Sequence, residues 1–411
     1  MLFWSFWILV VSMAGHGNAL MDPICANDIN CILPDCKCAG TDPPTDFYGI
    51  PIEGPDLPQI VLLSFDDAIR EDLFLNYYSK LFNGTFKNPN GCPISGTFFV
   101  SHEYTDYVRV HQLREWNCEI ASHSFSHQPP ANLWAQLDYD EFRMEMSEVR
   151  QTFARFGQIE EDLIIGARSP FLQTSGNDYY QMLLDEGFVY DCSRPTRRFI
   201  YNDTVPGSKW GLWPFTYDYD YSYNGTESFL DCQIEPCPSN RTFPGLWQVP
   251  MVDLVDLGGI ECAMLDQCDN RPPNFQEAMA LLEENFNRRY TSNKGPVGLY
   301  THASWFEGDW THNFDALLQF VQDILALPDQ DVFIISVSQF ITYLKDPQLL
   351  SIVSSGSSYP EWCPATPNLP TCNPPQNPCR YEFSSPPFER FMNSCVDCPP
   401  NYPWVGNPLG N

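Results

Sequence analysis

From about residue 57 onward, short apolar runs alternate with longer stretches in which apolar residues recur every three or four positions. The short runs predict strands at 60–65, 96–100, 118–122, 163–167, 188–190, 246–252, 297–301 and 332–336. The periodic stretches predict helices over 71–82, 105–115, 177–186, 275–290 and 314–326. The clearest helix carries Tyr139, Phe142, Met146, Val149, Phe153 and Phe156, spaced 3-4-3-4-3, so all six share one face. Asp138 and Glu141 make a capping-box pattern at its start. Strands alternating with helices imply parallel βα units, closed into a barrel or open as a doubly wound sheet. The fold class is α/β, and the length of the region favours the barrel.

The alternation breaks between residues 192 and 244, where W-G-L-W-P-F-T-Y-D-Y-D-Y marks an aromatic insertion. Residues 20–56 and 351–411 are Cys- and Pro-rich without periodicity, so both read as disulfide-bound extensions of a central domain at 57–350. Residues 1–19, MLFWSFWILVVSMAGHGNA, resemble a secretory signal peptide, although the usual basic residue is missing. No later run is apolar for the length a membrane span needs, so a soluble mature protein is expected.

All 16 cysteines lie beyond residue 19, and the even number fits a disulfide-stabilised extracellular protein. The groups Cys25/Cys31/Cys36/Cys38 and Cys395/Cys398 are read as disulfides rather than metal sites for that reason. Sequons at Asn83, Asn202, Asn224 and Asn240 are compatible with secretion and glycosylation. A net charge of −30 makes nucleic acids and anionic membranes poor partners. It suits a neutral polymer, or one that becomes cationic.

Chemistry collects where the strands end. The first ends in Asp66-Asp67, the third runs into His123-Ser-Phe-Ser-His127, the fourth into Arg168-Ser-Pro-Phe171, and the run at 297 into His302. In a parallel barrel all these ends lie on one face, where active sites are built. Two imidazoles four residues apart, with a carboxylate from another strand, fit a catalytic zinc site with open positions. The zinc-protease motif H-E-x-x-H is excluded, because Ser124 follows His123. One of the adjacent aspartates would bind metal while the other acts as a general base near Arg168. The plain alternative for the pair is an N-cap on the next helix.

Five stretches together resemble the polysaccharide deacetylase family (carbohydrate esterase family 4), and more closely its arthropod-type chitin deacetylases. They are S-F-D-D-A at 64–68, H-S-F-S-H at 123–127, R-S-P-F at 168–171, G-L-W-Q-V-P-M-V-D-L at 245–254 and L-Y-T-H-A-S-W at 299–305. The resemblance implies a distorted barrel of seven or eight βα units and a divalent metal, commonly zinc. It implies Asp67, His123 and His127 as metal ligands, Asp66 as catalytic base, Arg168 as its orienting partner and His302 as catalytic acid. The backbone N–H of Phe171 is implied as an oxyanion donor, although the family usually has Tyr there and Thr at the position of Ser64. Asp253 or Asp191 is expected to set the His302 tautomer.

The implied activity is secreted, metal-dependent removal of N-acetyl groups from chitin or N-acetylglucosamine oligomers by a monomer. A competing reading is a silent polysaccharide-binding protein in which Trp210, Trp213 and the Tyr run at 217–223 stack on sugars. Another keeps the enzyme but assigns acetylxylan or peptidoglycan as substrate. No six-cysteine chitin-binding module is evident, so soluble or loosely packed substrate is expected.

Overall fold

The computed structural model describes residues 25, 30–46, 49–197, 211–221, 230–372 and 377–411. Residues 1–19, read as a signal peptide from the sequence, together with Trp210, Tyr223 and the sequons at Asn202 and Asn224, lie outside these residues.

A nine-stranded sheet forms the centre. Its strands are β1 (Gln59–Asp66), β2 (Thr97–Val100), β3 (Glu119–Ser122), β4 (Gly166–Ala167), β5 (Tyr190–Asp191), β6 (Phe215–Tyr217), β7 (Phe243–Gln248), β8 (Val297–Thr301) and β9 (Val332–Ile334). The order is β8-β1-β2-β3-β4-β5-β7-β6, with β9 pairing the start of β1. All pairings are parallel except β6 with β7. Among the described residues no ladder joins β7 to β8, so the barrel is distorted by an open seam. The helices between strands cover the outside: 71–82, Tyr107–Glu115, 139–157, Asn177–Asp185, Phe275–Tyr290, Thr311–Leu325 and Val337–Lys345.

All eight residues of β1 are buried, because the strand sits between the barrel lumen and the helical layer. Side chains alternate across it. Val61, Leu63 and Phe65 pack outward among the helices, whereas Ile60 and Leu62 join Phe99, Tyr190, Trp247 and Tyr300 in a second cluster inside. Asp66 has the parity of Ile60 and Leu62, so it ends the strand on the lumen side.

The helix at 139–157 starts with the expected capping box, Glu141 N–H donating to Asp138 and Asp138 N–H to Glu141. Its stripe does not stay on one face. A π turn over Arg143–Ser147 inserts one residue and rotates the remainder of the helix by about 100°. Phe142 and Met146 therefore pack with Trp134 and Tyr179, while Val149, Phe153 and Phe156 pack with Tyr107 and Val110.

Three further expectations change. The run at 246–252 is two strands, because Pro250 offers no N–H and breaks the ladder; Met251–Val252 pairs instead with Pro195–Thr196. The aromatic insertion is structural where described. It supplies β6, and Trp213, Phe215, Tyr217 and Tyr221 are buried rather than offered to a ligand. Seven disulfides take fourteen of the sixteen cysteines, but Cys118 and Cys192 stay as buried thiols. They sit in different packing clusters, outside and inside the sheet, and cannot meet.

Cys25 pairs with Cys38 and Cys31 with Cys36 in the N-terminal segment. At the other end Cys92–Cys363 ties the tail to the chain before β2. Cys395 and Cys398 bond not to each other but to Cys372 and Cys379, bracing a hairpin of Asn377–Glu382 and Glu389–Ser394. That hairpin lies on the domain through Arg390 to Glu103 (3.0 Å) and Asn393 to Asp106 (2.8 Å). No helix among the described residues is long and apolar enough to cross a membrane.

Candidate active site

The C-terminal strand ends bring the expected residues to one face. Asp66 is 4% exposed, and its Oδ1 accepts a 2.6 Å bond from Arg168 Nη1. Arg168 is fully buried and nearly all its donors are used. Nη1 also reaches Ser64 Oγ (2.9 Å), Nε donates to the Cys192 carbonyl (2.7 Å), and Nη2 lies 3.0 Å from Cys192 Sγ. Its guanidinium stacks on Phe99 and Tyr300, at 4.0 and 4.8 Å. A buried cation needs this degree of pairing to be tolerated. Burial pushes the Cys192 thiol up to about 11, against the opposing pull of Arg168, so it is a neutral neighbour.

Asp67, one residue on, turns outward with its side chain 45% exposed. The two aspartates are thus given different environments, as their adjacency required. Asp67 Oδ1 lies 3.8 Å from His123 Nε2 and 3.5 Å from His127 Nε2, and Asp66 Oδ2 is 3.9 Å from His123 Nε2. His123 Nδ1 is 2.7 Å from the Arg168 carbonyl, which accepts a hydrogen bond from Nδ1–H and so leaves Nε2 as a bare acceptor. Burial, then His127 beside it, holds the His123 pKa well below the usual value. Neither His123 Nε2 nor His127 Nε2 has a hydrogen-bond partner among the described residues, although both atoms are buried.

That pair of orphaned nitrogens tests whether a metal fits. The ligand atoms of Asp67, His123 and His127 lie within 4.8 Å of one another. Donors on a tetrahedral ion at about 2 Å stand roughly 3.3 Å apart, so a small contraction would close the set. Three protein ligands leave a coordination position free, as a catalytic ion requires.

The backbone is shaped for this arrangement. Eleven non-glycine residues among those described have positive φ, and five are here: Asp67 (81°), Ser124 (76°), His127 (44°), Phe171 (57°) and Leu172 (58°). Such conformations cost on the order of 1–3 kcal/mol each and persist where the surroundings impose them. Glu145 holds the histidine loop by accepting from the N–H groups of Phe125 and Ser126 and from the Ser126 hydroxyl. Phe171 is 38% exposed, its ring 4.6 Å from that of His127.

His302 follows β8 on the other side of the site, and its partner is neither expected aspartate. Asp191 is enclosed by Tyr179, Tyr180 and Ser193, while Asp253 meets Gln233 and Arg197. Burial raises the pKa of both, to about 7 for Asp253. The partner is Asp266, whose Oδ2 is 2.9 Å from His302 Nδ1 and whose Oδ1 accepts the His302 N–H at 3.0 Å. Burial works against the His302 cation, but the Asp266 bond and the charges of Asp266, Asp66 and Asp67 raise its pKa to about 9. The bond to His302 correspondingly lowers Asp266. Sequence reasoning missed Asp266 because it ends no strand. It sits in a short turn, Leu265–Gln267, inside the loop closed by Cys262–Cys268. An Asp bracketed by two close cysteines was the available signal.

No protein-family model matches the chain. Over 411 aligned residues it is 34% identical to chitin deacetylase 8 of Bombyx mori, covering 98% of this chain and 97% of the relative. It is 31% identical to chitin deacetylase 1 of Bombyx mori, covering 93% of this chain and 68% of the relative. Among solved structures, the chitin deacetylase from Colletotrichum lindemuthianum aligns with 69% of this chain and 87% of its own, at 13% identity and a TM-score of 0.33. With a relative this similar along nearly its whole length, the chain belongs to the chitin deacetylases of the polysaccharide deacetylase family, hydrolases of linear amide bonds.

Proposed function

We propose that this protein is a secreted, divalent-metal-dependent deacetylase of chitin or N-acetylglucosamine oligomers, with residues 57–350 as its catalytic domain. The observation that carries the reading is the convergence of two orphaned imidazole nitrogens and Asp67 beside the buried Asp66–Arg168 pair. The names of its relatives support chitin as substrate.

Asp67, His123 and His127 would hold the ion. When bound, an ion such as zinc supplies Lewis acidity toward the acetyl carbonyl and toward water. Asp66, oriented by Arg168, accepts a proton from the attacking water. The backbone N–H of Phe171, in its left-handed turn beside His127, is assigned to the oxyanion of the tetrahedral intermediate. His302, kept protonated up to about pH 9, donates to the departing amine, so acetate and a glucosamine unit are released.

The test is acetate release from N-acetylglucosamine oligomers by the zinc-loaded protein and by Asp66→Asn, with zinc content measured in both. Release by the wild type, lost in the variant with zinc retained, is the expected result. No release from chitin oligomers, acetylxylan or peptidoglycan fragments, with zinc bound, would shift the reading to a polysaccharide-binding protein.

A further inference from the structure

An arginine on the rim beside His302 has no role in the chemistry above. Arg271 follows the Cys262–Cys268 loop that carries Asp266, and its guanidinium carbon lies 4.5 Å from the centre of the Trp310 ring. Its Nη2 donates to the carbonyl of Ser304, two residues after His302. The Ser304 hydroxyl in turn bonds Asp266 Oδ2 at 3.2 Å. Arg271 is thus fixed to both segments that position the His302–Asp266 pair.

Arg168 meets Asp66, and Arg70, three residues after Asp67, meets Asp72 and Glu307. By contrast, Arg271 makes no ion pair among the described residues, in a chain with 52 acidic and 22 basic side chains. Asp266, the carboxylate whose field it feels, already serves His302 through both oxygens. An arginine stacked on an aromatic ring and pinned at one end loses little freedom when it binds something else. It presents donors only.

The reaction of the proposed function makes a difference that such a group can read. The sugars flanking the reacting unit carry either a neutral acetamide, whose carbonyl accepts hydrogen bonds, or, once deacetylated, an ammonium that only donates. We propose that Arg271, held on Trp310, is a specificity-determining residue that admits N-acetylglucosamine as the neighbouring sugar and disfavours glucosamine. The inference rests on the deacetylase reading. It makes the enzyme avoid deacetylating two adjacent units, so products are spaced rather than blocky.

The experiment uses zinc-loaded protein and N-acetylglucosamine trimers, either fully acetylated or with one terminal sugar as glucosamine, in both positional isomers. The readout is the ratio of kcat/KM for the fully acetylated trimer to that for each mixed trimer, which is independent of the absolute rate of any variant. Two like charges about 7 Å apart in a mostly aqueous setting predict a wild-type ratio of roughly threefold to eightfold for one isomer, shrinking with salt. Arg271→Gln should bring the ratio close to one, while Arg271→Lys, which keeps the charge, should retain most of it. Equal ratios in wild type and Arg271→Gln, or a lysine variant as indifferent as the glutamine one, would overturn the proposal while leaving the deacetylase reading intact. Absence of acetate release from every trimer would overturn both.

Discussion

The two halves of the site are built differently. Asp66, Asp67, His123, His127 and Arg168 hang from the ends of three parallel strands, β1, β3 and β4, and Asp66, His123 and Arg168 are buried. His302 and Asp266 are joined through a disulfide-closed loop, and the His302 side chain is 25% exposed. The first half is anchored by the Asp66–Arg168 pair, because moving either member would unpair a buried charge. In the second the His302 ring keeps some contact with solvent, as its proposed role in donating a proton would need. Loss of a fully buried cation–carboxylate pair acts mainly on folding, whereas the partly exposed His302–Asp266 pair also reports on protonation.

Removing one partner from each half separates these two effects, and the largest change is expected on the strand side. Arg168→Met leaves Asp66 buried without its cation and should lower unfolding free energy by about 3–5 kcal/mol in denaturant titrations, with activity lost. A stability close to wild type would show that the lumen is wetter than its burial suggests.

On the loop side, Asp266→Asn should change stability far less and act on the pH profile instead. His302 is raised to about 9 from an ordinary value near 6.5. Its pairing therefore contributes stability that is complete below about pH 6.5 and is lost as pH rises through about 9. Activity that needs the protonated ring should fall over the same upper limb. In Asp266→Asn that limb moves to lower pH, measured as kcat against pH; an unmoved limb would assign it to another group.

The smallest effect is expected from Cys192→Ser. The thiol is one of several neighbours of Arg168, whose Nε bond goes to the Cys192 backbone and survives the change. Stability within about 1 kcal/mol and nearly unchanged zinc binding are expected. A large loss would place the sulfur among the supports of the strand-side half.

The strand-end residues of both halves were legible because they follow apolar runs. Asp66-Asp67, His123 and Arg168 on one side and His302 on the other all occupy strand ends, and parallel strands place their ends together. The partner of His302 was not legible from periodicity, since Asp266 reaches it from a turn inside the Cys262–Cys268 loop, a contact across 36 residues. Asp253 and Asp191 failed as partners for a related reason. Strand position brought both near the correct rim, but Asp191 is taken up by two tyrosines and a serine, and Asp253 by Gln233 and Arg197. Whether the aromatic insertion stacks on sugars or packs as a flap was left open by the sequence, because composition does not distinguish a ring that packs from a ring that binds. Burial of Trp213, Phe215 and Tyr217 decides it for packing.

The sequence by itself determined the βα alternation, the convergence of metal-type and carboxylate residues, and the family. These depend on periodicity and on short motifs, both local properties of the chain. Only the tertiary structure decided which of two adjacent aspartates faces the lumen, since an all-buried strand shows no apolar–polar alternation to fix its faces. It also decided which two cysteines stay reduced, where the helix at 139–157 turns its stripe, and which carboxylate holds His302. Each of these depends on a distance between residues far apart in the chain, and such a distance exists only once the core has packed.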